Sequence, residues 1–314
     1  MSYWWLRRNP NGITQSNLAG EGPLRVRETR FVPQPWSRIG CGHKCVWQSR
    51  GRLRVTERVL GNWAFHGVSR NMPAKTPMIT PRVVRLLLQD ELQDPDDESY
   101  YEFHNIRFAD TANFVGPLLP TTIVLDVGVG QGFLAIVLRR LYGCSVNGID
   151  VSRPEMERWK PRYSRNGIEF KYCDATSERL PFDASTFDLV LLCELIEHLP
   201  ELDHLITEVR RVLKQDGSLV ITTPNASRLA ARVMPLMGRN PLADAPAHAR
   251  EFTLRELEAE LRSHGCRVEK VRFQDWWSMK AQKTRMAVRI SYRLLVWAIP
   301  SMRGGILLSA RKIR

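Results

Sequence analysis

The sequence predicts an α/β protein built on a doubly wound, mostly parallel sheet of seven strands. Three observations carry this. Short apolar, β-prone runs alternate with longer segments of helical period, the pattern of strands covered by helices on both faces. The first strand runs into a carboxylate and three glycines, Asp126-Val127-Gly128-Val129-Gly130-Gln131-Gly132. Two further acids, Asp150 and Asp174, stand just past later strands, at the carboxyl edge where open α/β sheets bind ligands.

The elements follow in order. Ile123–Leu125 is a buried parallel strand, and Phe133–Leu141 an apolar helix behind the glycines. Val146–Asp150, Ile168–Cys173 and Phe187–Leu192 read as the second to fourth strands. Leu202, Leu205, Ile206, Val209 and Leu213 fall at helical spacing, so Glu201–Lys214 is a helix with one buried face. Asp216-Gly217 reads as a turn and Ser218–Thr223 as the fifth strand. Thr253 and Glu256 form a capping box, Leu254, Leu257 and Leu261 a buried stripe, and Gly265 a stop. Arg267–Phe273 and Ile306–Ala310 supply the last strands, and Lys280–Pro300 reads as a helix between them.

The glycine loop has a distinctive spacing. A dinucleotide fingerprint is G-x-G-x-x-G with a pyrophosphate on the helix N-terminus. Here the pattern is G-x-G-x-G, with Asp126 two residues ahead of Gly128. A carboxylate at that point repels a pyrophosphate and suits a ligand with a cationic end, such as an ammonium group. Asp150 lies 24 residues after Asp126 and can accept the hydroxyls of a ribose. Dehydrogenases place an acid similarly, so Asp150 indicates a nucleoside ligand without choosing a family.

Taken in order, these motifs resemble those of class I S-adenosylmethionine-dependent methyltransferases, and the likeness covers roughly residues 95 to 314. The resemblance implies S-adenosyl-L-methionine as cofactor and a Rossmann-like methyltransferase fold. It implies that Asp126, Gly128, Gly130 and Gly132 pass under the methionyl part, that Asp150 and Val151 meet the ribose, and that Asp174 and Ala175 face the adenine. Asp188 to Leu199 reads D-x-V-x-x-x-E-x-x-E-H-L, characteristic of a subgroup that includes quinone and polysaccharide enzymes. Glu194 then belongs to the cofactor loop and Glu197 to a helix start. His198 follows the fourth strand on the ligand side; its ordinary pKa of about 6.5 suits a general base for an oxygen nucleophile. A structural role, hydrogen-bonding the loop, is the equal alternative. His248-Ala-Arg250-Glu-Phe252-Thr253 and Thr222-Thr223-Pro224-Asn225 resemble segments of methyltransferases from cell-envelope glycan and lipid clusters. Tyr100 to Asn105 lies where relatives close an aromatic over the cofactor, although a surface aromatic cluster fits it equally.

Composition bounds the organisation. The 314 residues carry a net charge of +13, of which residues 1–77 hold +10 (13 Lys or Arg against Glu21, Glu28 and Glu57). Residues 1–77 also hold five of nine tryptophans and show no sustained period, as expected of a basic, disordered extension. Alternatively translation starts at Met72 or Met78. A nucleic-acid-binding arm is disfavoured, since no RNA-binding fold or basic helix is visible. Residues 78–314 then form the methyltransferase domain. Cys144, Cys173, Cys193 and Cys266 fall in predicted strands or helix starts and read as reduced core residues of an intracellular protein. Cys41-Gly-His43-Lys-Cys45 lacks the second ligand pair of a zinc site, and no metal is expected. No secretory signal is visible, so the expected location is cytoplasmic.

In Lys280–Pro300, Arg285, Arg289 and Arg293 line one helical face, beside an apolar face of Met286, Ile290, Leu294 and Trp297. Two readings follow: an ordinary helix packed on the sheet, which is favoured, or a basic amphipathic helix giving peripheral contact with the cytoplasmic membrane face. The expected acceptor is a small molecule or glycan, foremost a hydroxyl of a sugar or lipid-linked cell-envelope intermediate. The alternative is O- or C-methylation of a quinone-type or aromatic small molecule. A nucleic-acid substrate is disfavoured, because Cys193-Glu194-Leu195-Ile196 stands where base-modifying enzymes carry an Asn/Asp-Pro-Pro-Tyr-like motif. A non-catalytic cofactor-binding domain is the remaining class. The motifs set neither the oligomeric state nor the atom methylated.

Overall fold

The computed structural model describes residues 78–242, 245, 247–275 and 286–313. The basic extension, its Cys41-to-Cys45 segment, Arg285 and the first part of the predicted 280–300 helix lie outside the described residues.

Two helices precede the sheet, α1 (Pro81–Leu88) and α2 (Pro95–Val115). Each starts with proline just inside a capping side chain, where the missing N–H costs nothing. Thr80 accepts from the Val83 amide and Asp94 from that of Asp97. There follow β1 (Ile123–Val127), α3 (Phe133–Tyr142), β2 (Ser145–Asp150), α4 (Arg153–Asn166), β3 (Glu169–Tyr172) and β4 (Phe187–Cys193). A 3₁₀ turn (Ile196–His198) leads to α5 (Asp203–Val212), β5 (Leu213–Pro224), α6 (Leu229–Val233), α7 (Leu254–Ser263), β6 (Cys266–Gln274), α8 (Met286–Ala298) and β7 (Gly305–Lys312).

The strands lie in the order β3-β2-β1-β4-β5-β7-β6. Strands β1 to β5 pair in parallel, and β1 sits between β2 and β4, where the winding reverses. That reversal opens a crevice at the carboxyl edge. The sheet is mixed, because β7 runs antiparallel to both β5 and β6. The chain leaves β6 at the carboxyl edge and re-enters there, with Gly305 opposite both Gln274 and Pro224, so no crossover is needed. The predicted turn at Asp216-Gly217 falls inside β5. There the register with β4 advances from Phe187–Leu213 to Leu189–Ser218, an irregularity that absorbs the extra residues.

Alternation along β1 sends Val124 to one face and Leu125 to the other, into separate core clusters. The first cluster joins α1, α2 and α3 through Leu88, Phe108, Ile136 and Leu138; the second joins α5 and α7 through Ile206, Val209, Leu257 and Leu261. The capping box of Thr253 and Glu256 is formed as the sequence predicts. Cys144, Cys173 and Cys266 are buried and, like Cys193, unpaired.

An ion network fastens the N-terminal segment of α1 and α2 to helices α3 and α4. Glu91, fully buried, meets Arg140 at 2.7 Å, Arg165 at 2.8 Å and the Asn166 amide at 2.8 Å. Asp97 meets Arg162 at 2.5 Å.

The C-terminal helix packs along a ridge beside its apolar stripe. Val296 is buried and Tyr292 and Leu295 half-buried, so the packed ridge runs through these three. The apolar stripe of Ile290, Leu294 and Trp297 is exposed, as is Arg293. Among the described residues no helix is long and apolar enough to cross a membrane.

Candidate cofactor and acceptor site

The site is assembled at the carboxyl ends of β1, β2 and β4. The glycine loop leaves β1 and is held by backbone bonds from Gly128 (2.8 Å) and Val129 (3.1 Å) to the Ile149 carbonyl. The Gly130 amide donates to Asp150 Oδ2 at 3.1 Å, and the Ser152 amide to Oδ1 at 2.9 Å. Asp150 therefore shapes the loop while keeping lone pairs for a ligand, since an ionised carboxylate offers about four acceptor sites. Gly132 has φ 76°, and a Cβ there would come within 2.6 Å of the Tyr163 ring. Gly130 has φ 51°, yet a Cβ on it would meet only the Gly128 carbonyl, at 3.9 Å. The loop thus presents open space above Gly130.

Two α4 residues that sequence reading passed over support this loop from below. The Tyr163 hydroxyl donates to the Gly130 carbonyl, and Arg162 reaches the Gln131 carbonyl at 3.4 Å. Neither stands near the loop in sequence, so no local signal marks them.

Asp126 is the most informative side chain. It is 4% exposed, and no hydrogen bond reaches its carboxylate among the described residues. Burial, with the Asp150 charge added, pushes its pKa up to about 7. A buried carboxylate without a partner is costly unless a donor or cation reaches it. Its surroundings are acidic: Asp150 is also raised by burial, against the hydrogen bonds from Ser152 and Gly130. This fits the cationic end expected of the ligand and opposes a pyrophosphate.

The other sequence candidates sit as follows. Val151 and Ala175 are half-buried at the ends of their strands. Asp174 folds its own turn: Oδ1 accepts from the Thr176 amide (3.0 Å) and hydroxyl (2.6 Å), and Oδ2 from the Ser177 hydroxyl (3.0 Å). Glu194 is held between strand and helix, accepting from the Thr222 hydroxyl and pairing with Arg107 of α2, each at 3.0 Å. Its φ of 52° is unusual for a residue with a Cβ and marks strain of the kind found at functional sites. Arg107 was not legible in the sequence, because its partner is 87 residues away. Tyr100 packs against His104, Phe108 and Phe133, and burial pushes its phenol up to about 12. That phenol feels Arg107, Asp126, Glu194 and Asp150, so the α2 aromatic cluster borders the glycine loop.

A second group of polar side chains stands at the turn after β4. His198 Nδ1 lies 2.9 Å from the Ala247 carbonyl. A carbonyl only accepts, so Nδ1 carries the proton and Nε2 keeps its lone pair in the neutral ring. Burial lowers the His198 pKa below 6.5, so the ring is neutral at neutral pH. His248 stands edge-on to it at 5.0 Å between centroids. Glu197 is 1% exposed and accepts from the Thr223 hydroxyl at 3.1 Å; burial and the Glu194 charge push its pKa well up. The Glu197 carbonyl accepts the Ala249 amide at 2.8 Å, which ties the 248–250 segment to the turn. No metal is expected from the sequence, yet Glu197, His198 and His248 each place one potential ligand atom within 4.8 Å of the others.

Residues 125–221 match the family model described as a methyltransferase domain. Among curated proteins, the chain is 34% identical over 155 residues to a ubiquinone/menaquinone biosynthesis C-methyltransferase of Desulfotalea psychrophila, covering 44% of this chain and 62% of that one. It is 36% identical over 115 residues to a ubiquinone biosynthesis O-methyltransferase of Pelagibacter ubique, covering 37% and 47%. The chain thus spans less than two thirds of these relatives. A geranyl diphosphate methyltransferase solved with GPP and sinefungin superposes with a TM-score of 0.51 at 15% identity, over 83% of this chain and all of that one, and shows the shared fold. Residues 125–221 are thus similar to a methyltransferase domain, and the chain has the fold of that solved structure.

Proposed function

We propose that this protein transfers the methyl group of S-adenosylmethionine to a hydroxyl of a small molecule. The Asp126 carboxylate at the end of β1, buried and without a hydrogen-bond partner among the described residues, carries the reading, because it needs a cation beside an open glycine loop. Asp126 and the Gly128–Gly132 loop hold the aminoacyl end of the cofactor, Asp150 and Val151 its ribose, and Asp174-Ala175 border the adenine. When bound, the sulfonium supplies an electrophilic methyl group.

The remaining work falls to the chain. Positioning dominates, since methyl transfer is an in-line displacement that gains most from holding the reactants in line and dry. His198, with Nε2 unprotonated, takes the proton of the acceptor hydroxyl, a contribution of about 10²–10⁴. Among acceptor classes, a quinone-type small molecule is supported by the names of two relatives, and an oxygen rather than a carbon of it by the name of one of them. A sugar hydroxyl has no such support. A phenol also suits a base whose pKa lies below the usual histidine value, because a phenol gives up its proton far more readily than a sugar hydroxyl.

The test is methyl transfer from radiolabelled S-adenosylmethionine to a panel of polyhydroxylated aromatics and sugars, using the full chain and His198→Gln. The expected result is labelled phenol ether, with turnover in the variant lower by about 10²-fold or more. Labelled sugar alone would overturn the acceptor class, and equal turnover in the variant would overturn the role of His198.

A further inference from the structure

We infer that the carboxyl edge of the sheet beside the site docks onto an anionic lipid bilayer. This stands independently of the methyl-transfer reading. Two insertions rise from that edge next to each other, one following β5 and one joining β6 to β7. They are rooted together: the Asn225 amide side chain donates to the Ser301 and Arg303 carbonyls, both at 2.8 Å, and its backbone N–H to Gly304. Each insertion exposes bulky apolar side chains that a water-facing surface does not favour. In the first, Leu236 is 86% and Met237 67% exposed; in the second, Leu294 is 62% and Trp297 76% exposed. Exposed Arg232 and Arg293 flank them. Apolar side chains with tryptophan and arginine at their margin are the composition of helices that lie in a membrane interface.

Charge decides what covers this surface. Residues 226–242 contain Arg228, Arg232 and Arg239 and no acid. Residues 276–314 contain nine Lys or Arg and no acid. The chain's +13 includes +10 in residues 1–77 and +9 in 276–314, so residues 78–275 carry −6. Among the described residues, exposed Arg232 and Arg293 stand in these two insertions, and neither residues 226–242 nor residues 286–304 hold an acid to offset them. An anionic bilayer supplies both of the required partners, acyl chains for Trp297, Leu294 and Leu236 and headgroups for the arginines. Docked so, the crevice at the β1–β4 switch opens toward the lipid, and an apolar acceptor reaches it without crossing water.

The test is sedimentation of the full chain with vesicles of phosphatidylcholine alone and of phosphatidylcholine mixed with phosphatidylglycerol. Binding is expected to the mixed vesicles and to be much weaker to the neutral ones. Leu236→Ser with Trp297→Ser is expected to weaken it more than about tenfold, since moving one such side chain out of water is worth at least about the 1.4 kcal/mol of a tenfold change. Arg232→Gln and Arg293→Gln are each expected to weaken it about fivefold, equivalent to about 1 kcal/mol per cation at an anionic surface. All four positions are exposed, and unchanged thermal melts establish that the variants fold. Binding unchanged in the double apolar variant would assign the lipid affinity to the basic extension and overturn the inference. No binding to either vesicle type would overturn it too and indicate a protein partner for the surface.

Discussion

At the scale of single residues, the proposed site has Asp126 trade stability for binding. Its folded-state pKa of about 7 lies above the ordinary aspartate value of about 3.9. A raised carboxyl favours the folded state while protonated, and that advantage is lost as pH rises through about 7. Asp126→Asn removes the buried charge, so above pH 7 the variant should melt at a higher temperature than the parent while losing affinity for S-adenosylhomocysteine. A lower melting temperature at alkaline pH would contradict this account of the site. The sign for binding is opposite: the ligand's ammonium needs the ionised carboxylate, so affinity in the parent should rise with pH through the same range. His198 carries a separate prediction. With its pKa below 6.5, turnover should hold at neutrality and fall only as acid protonates the ring; a profile that falls off above neutrality would exclude it as the base. The positions of Asp126 and Asp150 near the carboxyl ends of β1 and β2, and of His198 in the turn after β4, were legible in the sequence because apolar strand-like runs lead up to them. Arg107, Arg162 and Tyr163 were not, because they reach the site through tertiary packing, and nothing near them in the chain announces a partner.

At the scale of elements, the N-terminal helices form one wall of the site, held by charge as well as by packing. Asp97→Ala leaves Arg162, 6% exposed, beside a lost partner. Removing one member of a buried ion pair typically costs about 3–5 kcal/mol. Arg162 also touches the Gln131 carbonyl, so urea unfolding of the variant should show that loss together with weaker cofactor affinity. A loss under about 1 kcal/mol would place the pair among ordinary surface bridges. The strands and the capping box of α7 could be read from period and caps. Strand β5 was read short, because Asp216-Gly217 has turn chemistry and only its pairing with β4 keeps it in the sheet. In helix α8, Ile290, Leu294 and Trp297 have the spacing of a core stripe, yet they are exposed. Burial of Val296 with Tyr292 and Leu295 shows that a neighbouring ridge does the packing.

At the scale of the whole molecule, the order β3-β2-β1-β4-β5-β7-β6 gathers the chemistry at one edge. The acids at the carboxyl ends of β1 and β2, the turn after β4, and the insertions after β5 and β6 all lie there. Strand alternation foretold this gathering, since parallel strands send every such loop to the same side. The antiparallel place of β7 was not legible, because it depends on the edge at which the last insertion returns. The central claim is that this edge binds a cationic nucleoside through Asp126. It is tested most directly by calorimetric titration of the full chain and of Asp126→Asn with S-adenosylhomocysteine. The account predicts saturable one-site binding by the parent and affinity at least about tenfold weaker in the variant, the loss expected for a hydrogen bond to a charged group. Binding of equal strength in both, or none in a folded parent, would contradict it.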